Sequence, residues 1–100
     1  MKVRFAGRTV RVRIDDLEAD MLLLGKPLEL RLDWPGGGWS LRLEPQQSGV
    51  QAAGGGALVV GLADSLKTLL DPLQEGVSLE AFGGDLHFRI EKDFRPEHLV

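Results

Sequence analysis

The chain contains no cysteine, only two histidines and few aromatic residues, 6% in all. The missing thiols exclude disulfides, thiolate zinc sites, iron–sulfur clusters and cysteine nucleophiles, and leave the redox compartment open. Stability has to come from packing. No window approaches the roughly 18 consecutive apolar residues of a membrane span. The opening residues Met-Lys-Val-Arg-Phe carry no apolar stretch of the kind a secretory signal needs, so a cytoplasmic location and no membrane partner are expected. Net charge is also modest, at −3, which by itself marks neither a strong nucleic-acid binder nor an acidic tail. What is present is an ordinary globular mixture, 43% hydrophobic and 27% charged, over 100 residues. That length predicts one domain spanning 1–100 and leaves no room for a second unit with its own core.

Catalytic signatures are missing as well. There is no Gly-x-Ser-x-Gly elbow, no His-Glu-x-x-His helix, no Walker loop and no EF-hand loop. Gly54-Gly55-Gly56 precedes a strand pattern, whereas an anion-cradling glycine loop feeds a helix N-terminus. Serines 40, 48, 65 and 78 have no nearby histidine to act as base. Asp85, His87 and Glu91 share one face of a strand, with His98 and Asp93 further on, but Arg89 stands between His87 and Glu91 and opposes a bound cation. The carboxylates are accounted for by capping, turns and surface charge, and none is marked as lying in an apolar pocket. No catalytic residue, metal site or cofactor is expected. An enzyme using His87 with Asp85 or Glu91 is the weakest of three readings.

The chain is written twice. Val3 to Glu44 aligns without gaps on Val50 to Glu91, with ten identical pairs among them Leu22/Leu69, Leu23/Leu70, Gly36/Gly83, Arg42/Arg89 and Glu44/Glu91. About three identities are expected by chance for such a composition. An additional glycine in Gly54-Gly55-Gly56 moves the next stretch by one, pairing Val10/Leu58, Val12/Val60 and Ile14/Leu62. Internal repeats 3–44 and 50–91 are thus joined by a linker at 45–49 and followed by a tail at 92–100.

Each repeat reads strand, strand, helix, strand, strand. Val10, Val12 and Ile14 alternate with Arg11 and Arg13; Leu28, Leu30 and Leu32 alternate with charged residues; so do Leu41 and Leu43, and Leu86, Phe88 and Ile90. Such strands have one dry and one wet face. Asp15 with Glu18 three residues later forms a capping box that opens a helix, and Gly25 and Pro27 end it. A second helix is expected from Asp64, with Leu66, Leu69, Leu70 and Leu73 on one face, ending near Asp71 before Pro72. Hairpin turns are placed at Ala6-Gly7-Arg8, Pro35-Gly36-Gly37-Gly38, Gly54-Gly55-Gly56 and Gly83-Gly84. The expected fold is therefore α+β: an internally duplicated ββαββ unit, about eight short, mostly antiparallel strands and two short helices in a pseudo-twofold barrel or sandwich.

Three features bear on binding. Lys2, Arg4, Arg8, Arg11 and Arg13 put five cations and no acid into the first 14 residues, leaving the remainder at −8. These side chains should share the outer face of the first hairpin, where they either meet a polyanion or pair with Glu29, Asp33, Glu44 and Glu91 across strands. Trp34 and Trp39 flank a glycine-rich turn and should touch, either plugging one end of the core, the favoured reading, or forming an aromatic clamp. Finally, Ala57 to Leu62 is apolar on both faces, so Val59 calls for cover by the tail, through Phe94, Leu99 and Val100, or by a second subunit.

At Met1-Lys2-Val3-Arg4, Thr9-Val10-Arg11-Val12-Arg13 and Ile90-Glu91-Lys92-Asp93-Phe94 the chain resembles a family of short, uncharacterised bacterial proteins. Its members open with a basic strand pair and close on a Glu-Lys-Asp-Phe segment. The resemblance implies a single intracellular bacterial domain and supplies no catalytic residue. The leading functional expectation is a non-enzymatic binding or assembly domain acting through protein contacts at Trp34, Trp39, Val59 and Phe94, with a homodimer as one form. The alternative is nucleic-acid or polyanion binding through the basic hairpin. No small-molecule ligand is indicated.

Overall fold

The computed structural model describes residues 1–92. Eight strands alternate with two helices in the anticipated order: β1 (Lys2–Ala6), β2 (Thr9–Ile14), α1 (Asp16–Leu23), β3 (Leu28–Trp34), β4 (Gly37–Glu44), β5 (Ser48–Ala53), β6 (Ala57–Leu62), α2 (Leu66–Leu70), β7 (Gly76–Ala81) and β8 (Leu86–Lys92). They form two four-stranded sheets, β1-β2-β8-β7 and β3-β4-β6-β5. Exchanging the first four strands with the last four maps each sheet onto the other, so the twofold of the sequence is a twofold of the fold. No ladder joins the sheets among the described residues, so the architecture is a sandwich and not a closed barrel.

The halves do not build one sheet each. Every hairpin is antiparallel, but at each sheet centre strands from different halves pair in parallel, β2 with β8 and β4 with β6. Val10 lies opposite Phe88 and Val12 opposite Ile90; in the other sheet Leu58 lies opposite Leu41 and Val60 opposite Leu43. These are the residue pairs that the repeat equates. Their side chains meet in one buried core with Ile14, Leu62, Leu28 and Val77. The identical pair Leu22 and Leu69 completes it, one fully buried leucine from each helix.

Local chemistry sets the helix limits. The Asp15 carboxylate accepts from the Glu18 amide at 2.8 Å and the Glu18 carboxylate accepts from the Asp15 amide at 3.0 Å, the reciprocal box that satisfies two orphan donors. At the other end Lys26 N–H bonds Met21 C=O and Gly25 N–H bonds Leu22 C=O, a Schellman stop. The second helix is shorter than its periodicity suggests: Ser65 precedes it, it closes at Leu70, and Leu73 is exposed. Its last turn lies against Pro72, which has no N–H to extend the ladder.

The turn lengths and the register of the repeat need correction. The turn between β3 and β4 is only Pro35-Gly36, because Gly37 and Gly38 already belong to β4, opposite Trp34 and Asp33. In the second half Ala81 faces Leu86 across four residues. The equivalent of Leu28 is accordingly Val77, since these two face the matched residues Leu43 and Ile90. The gapless alignment is thus two residues out of step along β3 and β7, drawn there by glycines in turns of different length.

Over β6 the linker supplies backbone cover next to Val59. The outward position next to Val59 is Gly61, and a Cβ there would lie 2.5 Å from the Gln47 carbonyl oxygen and 2.6 Å from Ser48 carbon. The linker, shortened to 45–47 because β5 begins at Ser48, therefore runs directly over this part of the strand. It is fastened by Ala63 N–H to Gln47 C=O at 2.9 Å. Val59 itself is half-buried between Arg42 and Gln51. Phe94, Leu99 and Val100 lie outside the described residues. Gly61→Val should cost about 1–3 kcal/mol in urea unfolding, because the obstruction is backbone; unchanged stability would show that the linker is not seated there.

Candidate polyanion-binding face

The first sheet, β1-β2-β8-β7, carries its charges on the side away from the core. Strand alternation sends Val3, Val10, Val12, Phe88 and Ile90 inward and Lys2, Arg4, Arg11, Arg13, His87, Arg89 and Glu91 outward. Register then sorts them into rows. Arg4 is directly opposite Arg11, which is directly opposite Arg89 in β8, so three guanidinium groups cross three adjacent strands. In the next row Lys2 faces Arg13.

The acids expected to neutralise this face are mostly elsewhere. Glu29, Asp33 and Glu44 sit in the other sheet and serve its own arginines. Arg42 reaches Glu44 at 3.3 Å and Glu29 at 3.8 Å, while Arg31 reaches Asp33 at 3.1 Å. The hydrogen bond that Arg31 donates to Asp33, the Asp33 charge and that of Glu29 push the Arg31 guanidinium pKa up. Among the described residues only Glu91 pairs with these arginines, at 2.9 Å from Arg11 and 3.6 Å from Arg89. No ion pair holds Lys2, Arg4 or Arg13 among the described residues. Arg8 leaves the group, turning at the β1–β2 loop toward Asp85 at 3.8 Å, an exposed pair of little energetic weight.

Two shallow concavities meet on this surface. One of about 250 Å³ is lined by Lys2, Val3, Arg4, Arg11 and Arg13. The other, about 580 Å³, continues over β8 and β7 past Arg11, Arg89, His87 and Glu91. Both share Arg11. His87 lies 3.7 Å from Glu80, while Asp85 pairs with Arg8 and Glu91 with Arg11. The described residues hold no cluster of three metal-ligating side chains, and His98 and Asp93 lie outside them. None of their helices is long and apolar enough to cross a membrane.

The tryptophans take different roles. Trp39 packs against the core and meets Phe5 of β1 edge-to-face, ring centroids 5.4 Å apart. Trp34 does not pair with it. Its indole lies over Gly37, where an added Cβ would be 2.9 Å from the ring nitrogen, and half of the residue is exposed. The expected contact between the two indoles is therefore not formed, and the ring partner of Trp39 is Phe5. Arg89 was likewise missed as a member of the basic row. Its only signal was identity with Arg42 in the repeat, and that carries no information about which strand it adjoins.

Neither a family model, nor a curated protein, nor a solved structure matches the chain. The arrangement therefore has to be read from its own chemistry. Like charges directly opposite one another across strands destabilise a sheet. Arg4→Glu should consequently raise stability by about 0.2–1 kcal/mol at low salt, and the gain should shrink as salt screens it. A loss of stability in thermal melts would refute electrostatic strain in this row.

Proposed function

We propose that this chain is a non-catalytic binding module whose working surface is the outer face of the β1-β2-β8-β7 sheet, and that its ligand is a polyanion. One observation carries the reading: Lys2, Arg4, Arg11, Arg13 and Arg89 form adjoining rows on a chain whose overall charge is negative, with Glu91 as their only close acidic partner among the described residues. Side chains so placed repel one another until an anion lies between them. Arginine presents several N–H donors in a planar fork suited to phosphate or sulfate oxygens. The open, shallow shape suits an extended polymer better than an enclosed small molecule.

The test is a titration of the full chain with heparin and with an oligonucleotide across a salt series. Affinity should fall steeply with salt, and for a single strand four phosphate contacts give a logarithmic slope of roughly −3. Arg4→Glu with Arg13→Glu should abolish binding without unfolding the protein. Failure to bind either polyanion at low ionic strength would end the proposal.

The second reading is assembly through protein contacts, a homodimer included. Leu17, Leu23, Leu24 and Leu73 are exposed around the helical end of the sandwich and favour it. Sedimentation at high micromolar concentration separates the two. A dimer dissociated by Leu23→Asp supports assembly, and a monomer throughout removes it.

A further inference from the structure

The pseudo-twofold gives the sandwich two long edges that ought to look alike. One is formed by β5 and β7, which approach closely, while β1 and β3 at the other edge do not come equally near. The side chains differ to match. Phe5, Leu32 and Trp39 occupy the positions that the second half fills with Ala52, Ala81 and Leu86. Small residues let one edge close, and large ones keep the other apart. In consequence Phe5 is 60% exposed, Leu32 61% and Trp34 51%. Trp39 touches Phe5 and lies opposite Leu32, and Trp34 follows two residues further along β3, so the four residues line the open edge with an apolar wall.

This wall adjoins the basic face. Phe5 follows Arg4 in the same edge strand, and only the β1 backbone separates the ring from the guanidinium. We infer that the ligand of the basic face is a single-stranded nucleic acid, its phosphates on Lys2, Arg4, Arg11 and Arg13 and its unpaired bases turned over the β1 edge to stack on Phe5 and Trp34. The inference rests on the polyanion reading above and adds a base-recognition surface to it. Charge alone fits heparin, duplex and single strand equally. Phe5, next to Arg4 in the edge strand, and Trp34, in the second sheet on the open edge, are exposed rings that fit a polymer carrying both repeated anions and accessible flat faces. A duplex keeps its base faces stacked inside, and a sulfated sugar has none.

The experiment compares a single-stranded pyrimidine oligonucleotide, the corresponding duplex and heparin by fluorescence anisotropy competition, alongside the intrinsic tryptophan emission of the full chain. The single strand should bind most tightly and be the only one to quench tryptophan. Trp34→Ala and Phe5→Ala should each weaken single-strand binding about tenfold and leave heparin binding unchanged. Trp34 lies over a glycine at the tip of a hairpin, so its replacement tests stacking even where loss of Phe5 disturbs the Trp39 contact. Equal affinity for all three polymers, with no quenching and no effect of Trp34→Ala, overturns base stacking and leaves the polyanion reading standing. Absence of binding to any of them overturns both.

Discussion

The parallel pairing of β2 with β8 and of β4 with β6 is the constraint from which the rest of the molecule follows. Neither half can bury its apolar faces alone, because its two hairpins go to different sheets and each needs a hairpin of the other half beside it. These two seams are where the halves hydrogen-bond to one another in the sheets, and they bring Val12 beside Ile90 and Leu43 beside Val60 in the core. The helices follow from the same requirement. Each carries the chain from one sheet to the other and anchors the crossing with one buried leucine, Leu22 or Leu69. A sequence that repeats itself is a natural solution, since one pattern of alternation serves all four hairpins.

The same seam builds the candidate site. Arg89 comes next to Arg11 only because β8 pairs with β2, so the basic face combines the first hairpin with the last strand. Around that shared frame the two halves have diverged. The outer face of the second sheet neutralises itself, with Arg42 between Glu29 and Glu44 and Arg31 beside Asp33. Position Arg13 of the first half is Gly61 in the second, where the linker backbone replaces a charged side chain. One copy thus presents cations to solvent while its twin uses the equivalent surface to hold the connection between repeats.

Strand existence, the capping box at Asp15 and the duplication were legible because they depend on local alternation and on short spacings. Partner choice was not, because a period of two says which face of a strand is dry and nothing about which strand lies beside it. That is why Glu29, Asp33 and Glu44 were plausible counterions for the hairpin until the topology put them in the other sheet. It is also why the dryness at Val59 suggested an external cover, when the backbone of residues 47 and 48 lies over neighbouring Gly61. Glycine misled in a different manner. Gly36 and Gly37 matched Gly83 and Gly84 by identity, yet Gly37 is a strand residue that makes room for the Trp34 indole. The basic hairpin was visible as composition, but the lack, among the described residues, of ion-pair partners for Lys2, Arg4 and Arg13 is a property of register.

That lack is informative because sheet energetics runs against it. Opposed like charges cost stability, and an acid at position 4 would relieve Arg11 at no expense to the core, since the Arg4 side chain is exposed. Among the described residues Glu91 alone offsets this row, and places where a chain breaks local rules are where functional sites are expected. The open edge follows the same logic: Phe5 and Leu32 leave apolar surface in water where Ala52 and Ala81 allow the opposite edge to close. The two departures from the twofold meet at β1, where Arg4 belongs to the basic row and Phe5 to the open edge. Electrostatic strain and exposed aromatic surface are relieved together by a ligand that is anionic and flat-faced, and separately by two unrelated ligands. The single edge strand between them favours the former.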